Sequence, residues 1–584
     1  MIRDLNSRPV AGNRRRRTSF LTIALAASAA IGAASPALAT WTPDGVPVAT
    51  EIHDQRRPVL VPDGAGGTII VWWDDRGSAL GIYAQRLNGD GNPMWGQNGT
   101  LVAGVTWTSV DPQAVSDGLG GVYVIWSDSR DLTHSEDHLY AQRIDANGTP
   151  YWPANGVKVC PNGGRQFFPA AVSDFRPQTG LNTPGVIVAW QDTRTGDFNV
   201  YAQRMDMDGN RLWGDAGVAL STGNTTVFPA ITTDGTASPF FPAGAIVAWQ
   251  TNGGDIRANW VDANGVVQWG ANGLAVCTAA RAQVQPSIVT VGPRRAIIAW
   301  EDQRNVVSDI YAQMVDNGMV SWFGDGVLVC DSDQTQTLPQ VAAAADGAFV
   351  VWVDIRDPAD YDIYGQRVDL NGFPQWATNG IPICGAFGPQ YGVEITHDGT
   401  GGAFVAWIDS RAGEDTDLYV QRVTENGETQ WQAEGICASC ATGDQKTPEI
   451  LFNNSFLFLA WEDTRDAFNG DDVYAGRLTA GGTVAVAGLA PASEFGIRML
   501  SANPHHGLAR FAVELPAAAR VAAEIIDPLG RRVRELGGDI LPAGHHELSW
   551  DWSDASRARL PHGVYFVRVH AGTRSNAIKL VHLR

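Results

Sequence analysis

Lysine is nearly missing from this chain: Lys158, Lys446 and Lys579 are the three among 584 residues. The 42 basic residues face 62 acidic ones, a net charge of −20. A surface of that sign repels nucleic acid and anionic lipid, which both need clustered cations. Long apolar runs are missing after residue 39, so no transmembrane segment is expected in the mature chain. Motifs with a local catalytic signature are missing as well. There is no nucleophile elbow, no glycine-rich phosphate loop, no HExxH and no Asp-box of the sialidase kind. No catalytic residue, cofactor or metal ligand set is therefore expected, and no ligand-binding residue can be named. Paired carboxylates would escape such a search, because they meet only in space.

What is present begins with a leader. Arg14 to Arg17 form a basic stretch, "FLTIALAASAAIGAA" an apolar one, and "ALA" at 37–39 a small-residue cleavage site. Residues 1–39 read as a signal peptide; "RRRRTSFL" fits the twin-arginine pattern poorly. Its removal takes away six Arg and one Asp and moves the net charge to −25. Export through the periplasm to the medium or the outer cell surface is expected.

Glycine (65) and tryptophan (21) are abundant, which suits many short strands, tight turns and aromatic packing. The pattern Trp-x-Asp-x-Arg starts at Trp72, Trp126, Trp190, Trp300, Trp352, Trp407 and Trp461. An eighth copy at Trp249, "WQTNG", has lost both charges. Each repeat reads as four strands: one following a proline ("FPAITTDG"), one ending at the motif ("GAIVAW"), one like "IYAQRVD", and one like "WGANGLAVC". Asn-Gly and Asp-Gly turns punctuate them. Four antiparallel strands per repeat make a propeller blade.

The ends of the array fix its closure. The fourth strand carries Trp-x-x-x-Gly at Trp95, Trp152, Trp213, Trp269, Trp322, Trp376 and Trp431, and the last repeat lacks it. The missing copy stands at the other end, as Trp41 with Gly45. The expectation is an all-β chain: an eight-bladed β-propeller over 40–478, closed by the N-terminal strand at 41–49, then a linker at 479–495.

Recurrent residues are read as structure. Seven copies of Trp-x-Asp-x-Arg suit a blade staple better than a single active site, and Asp-x-Asn-Gly turns suit hairpins better than calcium loops. Cys160, Cys277, Cys330 and Cys384 each fall eight residues after their blade's Trp, where other blades put Ala49, Ala103 or Ser221. That is a small buried slot, not a set of disulfides. Cys437 and Cys440 ("CASC") are left as a local disulfide or two free thiols. The symmetry breakers are the loop with His134, Glu136, Asp137 and His138, the insertion "DFRPQTGLNTPG", and Trp260 where most blades carry Arg. Two His with three residues between them can hold a metal, although a solvated loop is the plainer reading.

Residues 496–584 change pattern. "NPHHGLARFAVELP", "AEIIDPLGRRVREL", "AGHHELSWDWSD", "GVYFVRV" and "KLVHLR" resemble the C-terminal sorting domains of type IX secretion cargo and the related Ig-like module of flagellar hook-capping proteins (FlgD-like). The resemblance implies an Ig-like β-sandwich that engages the secretion machinery and brings the chain to the cell surface; an ordinary adhesive Ig-like module is the alternative. The repeats resemble those of secreted bacterial proteins with such tails. The expected function is a secreted or cell-surface, non-catalytic binding or scaffold propeller, its partner a glycan or an extracellular protein. A glycan-active hydrolase or lyase with its site at the propeller centre, and a purely structural envelope protein, are the alternatives.

Overall fold

The structure is a computed structural model that describes residues 41–499 and 509–582, apart from 77–79, 106–111, 131–136, 175–184, 223–225, 237–242, 358–359, 414, 454, 467–469, 484–495, 516–518, 542–543, 555, 557 and 572–573. The signal peptide, His134, Glu136, most of the third-repeat insertion and most of the linker lie outside the described residues. Every regular element among the described residues is a β-strand. No helix among them is long and apolar enough to cross a membrane.

Residues 46–479 form eight antiparallel sheets of the propeller type. The first contains Gln55–Pro62, Thr68–Asp74, Gly81–Leu87 and Thr100–Gly104, hydrogen-bonded in that order. The second strand is buried on both faces, as in Val186–Asp192 of the third sheet, which is why these strands read as continuous apolar runs rather than alternating ones. The eighth sheet draws three strands from the end of the array, Gln445–Asn453, Phe456–Asp463 and Asp472–Thr479. Its fourth is Val46–Ala49, in register Val46↔Ala475. The first strand of each sheet packs on the first strand of the next, and the eighth packs on the first, so these eight strands form a closed circle.

Two strand boundaries differ from the sequence expectation. The first strand starts before its proline, as in Gln166–Ser173 with Pro169 inside. The fourth starts after its Trp, as in Leu274–Cys277 after Trp269. That Trp sits in the preceding turn and reaches the next sheet instead. Trp95 Nε1 donates to the Ala146 carbonyl at 3.1 Å, and Trp152, Trp213, Trp322, Trp376 and Trp431 do the same one sheet further on. Trp41 Nε1 donates to the Gly89 carbonyl of the first sheet at 3.0 Å. The N-terminal segment thus replaces the eighth fourth strand in its hydrogen bonds as well as its position.

The Trp-x-Asp-x-Arg motif is a staple. In the third sheet Trp190 Nε1 donates to Asp192 Oδ2 at 3.0 Å, and Arg194 donates to both carboxylate oxygens at 2.9 and 2.6 Å. The guanidinium stacks 3.7 Å from the Tyr201 ring centroid and donates to the Ala216 carbonyl at 2.7 Å. One buried carboxylate thereby ties the second, third and fourth strands together. Burial alone would raise the Asp192 carboxyl, but the hydrogen bonds from Arg194 and Trp190 outweigh it and hold it below its ordinary range. The other motif copies repeat this. In the eighth sheet Arg465 donates to the Asp44 carbonyl, across the closure, at 2.8 Å. Gly45 must stay small there: a Cβ at its φ of 78° would sit 2.3 Å from Trp461 Cη2.

Beyond the repeats, a three-stranded sheet (Gly496–Met499, Ala509–Leu515, Gly544–Trp550) and a four-stranded one (Arg532–Leu541, Ala519–Ile526, Gly563–Ala571, Arg574–His582) share one core. Phe511, Val513, Ile525, Trp550, Tyr565 and Val567 lie in it, and Tyr565 Oη donates to the Pro561 carbonyl at 2.8 Å.

Candidate functional site: a broken ring on the first strands

Seven of the eight first strands carry a bulge near their start. Pairing slips between Arg56 and Val59 in the first sheet, and at the equivalent place in the third to eighth. The cause is an X-Pro pair. Proline has no N–H to give the ladder, and the residue before it turns to positive φ: Arg57 (56°), Phe168 (50°), Phe228 (52°), Gln285 (54°), Leu338 (55°) and Thr447 (45°). The seventh sheet uses Gly392 (61°) without a proline. Positive φ is strained for side chains of this size. It also swings the side chain out of the sheet. Phe168 and Phe228 are 42% and 49% exposed, their rings 4.7 Å apart. The backbone N–H freed at Arg57 finds Glu462 Oε1 of the eighth sheet at 2.7 Å, and that of Gln285 finds Gln250 Oε1 of the fourth at 2.8 Å.

Four of these residues help line a cavity of about 350 Å³ shared by the first, second, third, fourth and eighth sheets. Arg57, Phe168, Phe228 and Thr447 stand at the bulge level, and Val59, Gln113 and Glu449 stand just beyond it. The volume is within the range of small-ligand sites, roughly 300–1,000 Å³.

Just beyond the bulge, one register position recurs in all eight sheets, each time opposite the residue preceding the motif Trp. It holds Val59, Gln113, Ala170, Ala230, Ser287, Gln340, Glu394 and Glu449. Here the repeat stops repeating. Ser287 Oγ donates to Gln340 Oε1 at 3.3 Å. Glu394 and Glu449 stand on neighbouring strands, and their titrations are linked. Both are hemmed in by the surrounding strands, which pushes Glu449 up to about 7; the same burial, with the nearby Glu449 charge, pushes Glu394 well above its ordinary value. The two carboxyls therefore titrate as a pair, both above the ordinary carboxylate range.

The residues singled out from sequence go elsewhere. Asp137 pairs with Arg165 at 2.7 Å and His138 is buried at the start of a third strand. Cys437 and Cys440 form a disulfide. Cys160, Cys277, Cys330 and Cys384 are free, buried and distributed over four separate clusters. Burial pushes the thiols of the last three up to about 12, so they are unreactive. The Asp145 turn uses its carboxylate on the Asn147 and Thr149 backbone N–H groups. In the fourth sheet Trp260 takes over the role of Arg, its Nε1 donating to Asp234 at 3.0 Å as Arg204 does to Asp174. The signal for the glutamate pair is the Gln that stands four residues before the register position beyond the bulge in six of the first strands: Glu394 follows Gln390 and Glu449 follows Gln445 at that spacing.

No family model matches this chain, and no curated protein matches it. Solved structures resemble it at low identity. A puromycin hydrolase is 15% identical with a TM-score of 0.38, over 74% of this chain and 63% of that one. The lectin of Aleuria aurantia, described as a six-bladed β-propeller with a fucose recognition mode, is 12% identical with a TM-score of 0.31, over 58% of this chain and 99% of that one. PorZ, described as a surface component of the type IX secretion system of Porphyromonas gingivalis, is 13% identical with a TM-score of 0.23, over 92% and 75%. The chain spans less than two thirds of the length of the puromycin hydrolase. At these scores no property of the three passes to this chain.

Proposed function

We propose that this is an exported, closed eight-bladed propeller that binds a saccharide in the cavity at the first strands, with an Ig-like sorting domain at 496–584 that carries it to the cell surface. The observation that supports the binding site is the broken ring: the register position just beyond the bulge holds five different residue types in eight sheets, and three of its members, Val59, Gln113 and Glu449, line the cavity. Its chemistry suits a sugar. The Phe168 and Phe228 faces offer contact to C–H surfaces, while Arg57, Gln113, Thr447 and Glu449 offer hydrogen bonds to hydroxyls. The net charge weighs against nucleic acid.

A second reading is favoured by one observation, the glutamate pair. Two linked carboxyls, one acting as acid and the other as carboxylate, are what glycoside hydrolysis needs. The protonated carboxyl gives its proton to the leaving oxygen as the C1–O bond breaks. The carboxylate takes a proton from the water that bonds C1.

One experiment tests both readings. The chain from residue 40 is incubated with a defined oligosaccharide panel, and retention and products are read by mass spectrometry. Retention without release supports the binding propeller. Release that falls by about 10²–10⁴ in Glu449→Gln and Glu394→Gln makes it a hydrolase. Neither retention nor release removes the saccharide reading. For the tail, a chain truncated at residue 490 that still reaches the surface removes the sorting role.

A further inference from the structure

The fourth sheet has the donors of the staple without its acceptor. In seven sheets a buried Asp carboxylate receives the motif Trp Nε1–H and an Arg guanidinium. In the fourth, Thr251 stands where the Asp belongs and Gly253 where the Arg belongs. Trp249 is nonetheless fully buried, and its Nε1 has no hydrogen-bond partner. An arginine is present as well, supplied from another strand. Arg257 lies opposite Trp249, at the position that Tyr201 and Tyr311 hold in other sheets. Arg257 Nη1 donates to the Asn272 carbonyl at 3.1 Å. That carbonyl precedes the fourth-strand Gly273, just as the Asn98 carbonyl, which Arg76 reaches at 2.9 Å, precedes Gly99. The guanidinium has therefore changed strands but kept its post. Its Nε is buried and also without a partner. The Thr251 oxygen accepts from the Asp255 N–H at 3.1 Å, which leaves its own hydrogen to donate.

Buried donors are rarely left without an acceptor, and here an indole N–H and a guanidinium N–H share that lack where seven other sheets place a negative oxygen pair. We propose that the fourth sheet binds a small monovalent anion of the halide class beside Trp249, Thr251 and Arg257, in place of the missing carboxylate. The anion completes the staple in trans: it accepts from Trp249 and Arg257 and balances the guanidinium charge. A water would satisfy the donors, whereas a halide satisfies them and also matches the guanidinium charge.

The probe is halide itself. Thermal unfolding of the chain from residue 40 is followed as sodium gluconate is replaced by sodium chloride or bromide at constant ionic strength. The melting temperature is expected to rise with halide and saturate. Thr251→Asp, which restores the internal carboxylate, is expected to raise the melting temperature without halide and abolish the halide response. Diffraction from crystals grown in bromide, measured at the bromine absorption edge, is expected to place a bromide beside Trp249 Nε1, and needs no variant. A flat halide titration, a response that persists in Thr251→Asp, or no bromide at that place overturns the proposal.

Discussion

Two levels of the same eight sheets obey opposite rules. At the staple, seven sheets use the same Trp, Asp and Arg in the same geometry. At the register position beyond the bulge, the eight sheets use Val, Gln, Ala, Ala, Ser, Gln, Glu and Glu. Both levels share one backbone symmetry, so the fold does not explain the difference. A position that must solve the same packing problem in every sheet converges on one answer, as it does in seven of the eight. The ring position, which reaches the cavity at Val59, Gln113 and Glu449, meets a different neighbourhood in each sheet and is free to differ. Repetition marks the scaffold here, and its failure marks the surface that a ligand would meet.

The comparison breaks most visibly at the closure. Deleting residues 41–49 removes Val46–Ala49 from the eighth sheet, uncovers the edge of Asp472–Thr479, and takes Trp41 out of the core it shares with Phe458 and Trp72. Loss of one buried Trp costs about 3–5 kcal/mol, and an open edge adds to it. The melting temperature is expected to fall by more than about 10 °C, with aggregation. An unchanged melting curve would mean that the circle does not depend on this strand.

Within the sheets, Asp192→Ala leaves Trp190 Nε1 and the Arg194 guanidinium without their shared acceptor. Breaking a buried pair in this way costs about 3–5 kcal/mol, read as a lower urea midpoint. Gln340→Ala at the ring is expected to stay within about 1 kcal/mol. If the two costs come out equal, the division into scaffold and ligand surface is wrong.

The periodicity was legible because each repeat repays the same interactions: Trp72 to Trp461 announce the staple, and the displaced copy at Trp41 announces the closure. The proline bulge was not, since "FPAITTDG" reads as a strand starting after proline, while the strand runs through it with a residue at positive φ. The glutamate pair was hidden for a deeper reason. Glu394 and Glu449 are 55 residues apart, and only the circular packing of first strands makes them neighbours. Trp260 looked like erosion in sequence, yet it delivers a donor to Asp234, because an indole N–H can stand in for one guanidinium N–H.

Glu449 gives a pH test of the ring. Its folded pKa, about 7, lies above the ordinary 4.5, so the fold favours the neutral acid. That preference stabilises the protein fully below about pH 4.5 and is lost as pH rises through about 7. Glu449→Gln, which stays neutral, is expected to melt with the parent near pH 4 and a few degrees above it at pH 8. Identical curves at both pH values would show that the carboxyl is well solvated and the pair uncoupled.

The smallest effect tests the staple where it is incomplete. Thr251→Asp in halide-free buffer returns an acceptor to Trp249 Nε1 and Arg257 Nε, for a gain of about 1 kcal/mol. The obvious companion, Gly253→Arg, restores the motif as written but should not help. A side chain fits at Gly253, whose Cβ would meet only Thr251 Oγ1 at 3.7 Å. The carbonyl of Asn272 is already taken by Arg257, however. A second guanidinium would arrive at an occupied post and repel the first. Thr251→Asp alone should therefore be at least as stable as the double variant. The reverse order would mean that Arg257 has not taken over from the motif arginine, and that the fourth sheet is held by packing without a staple.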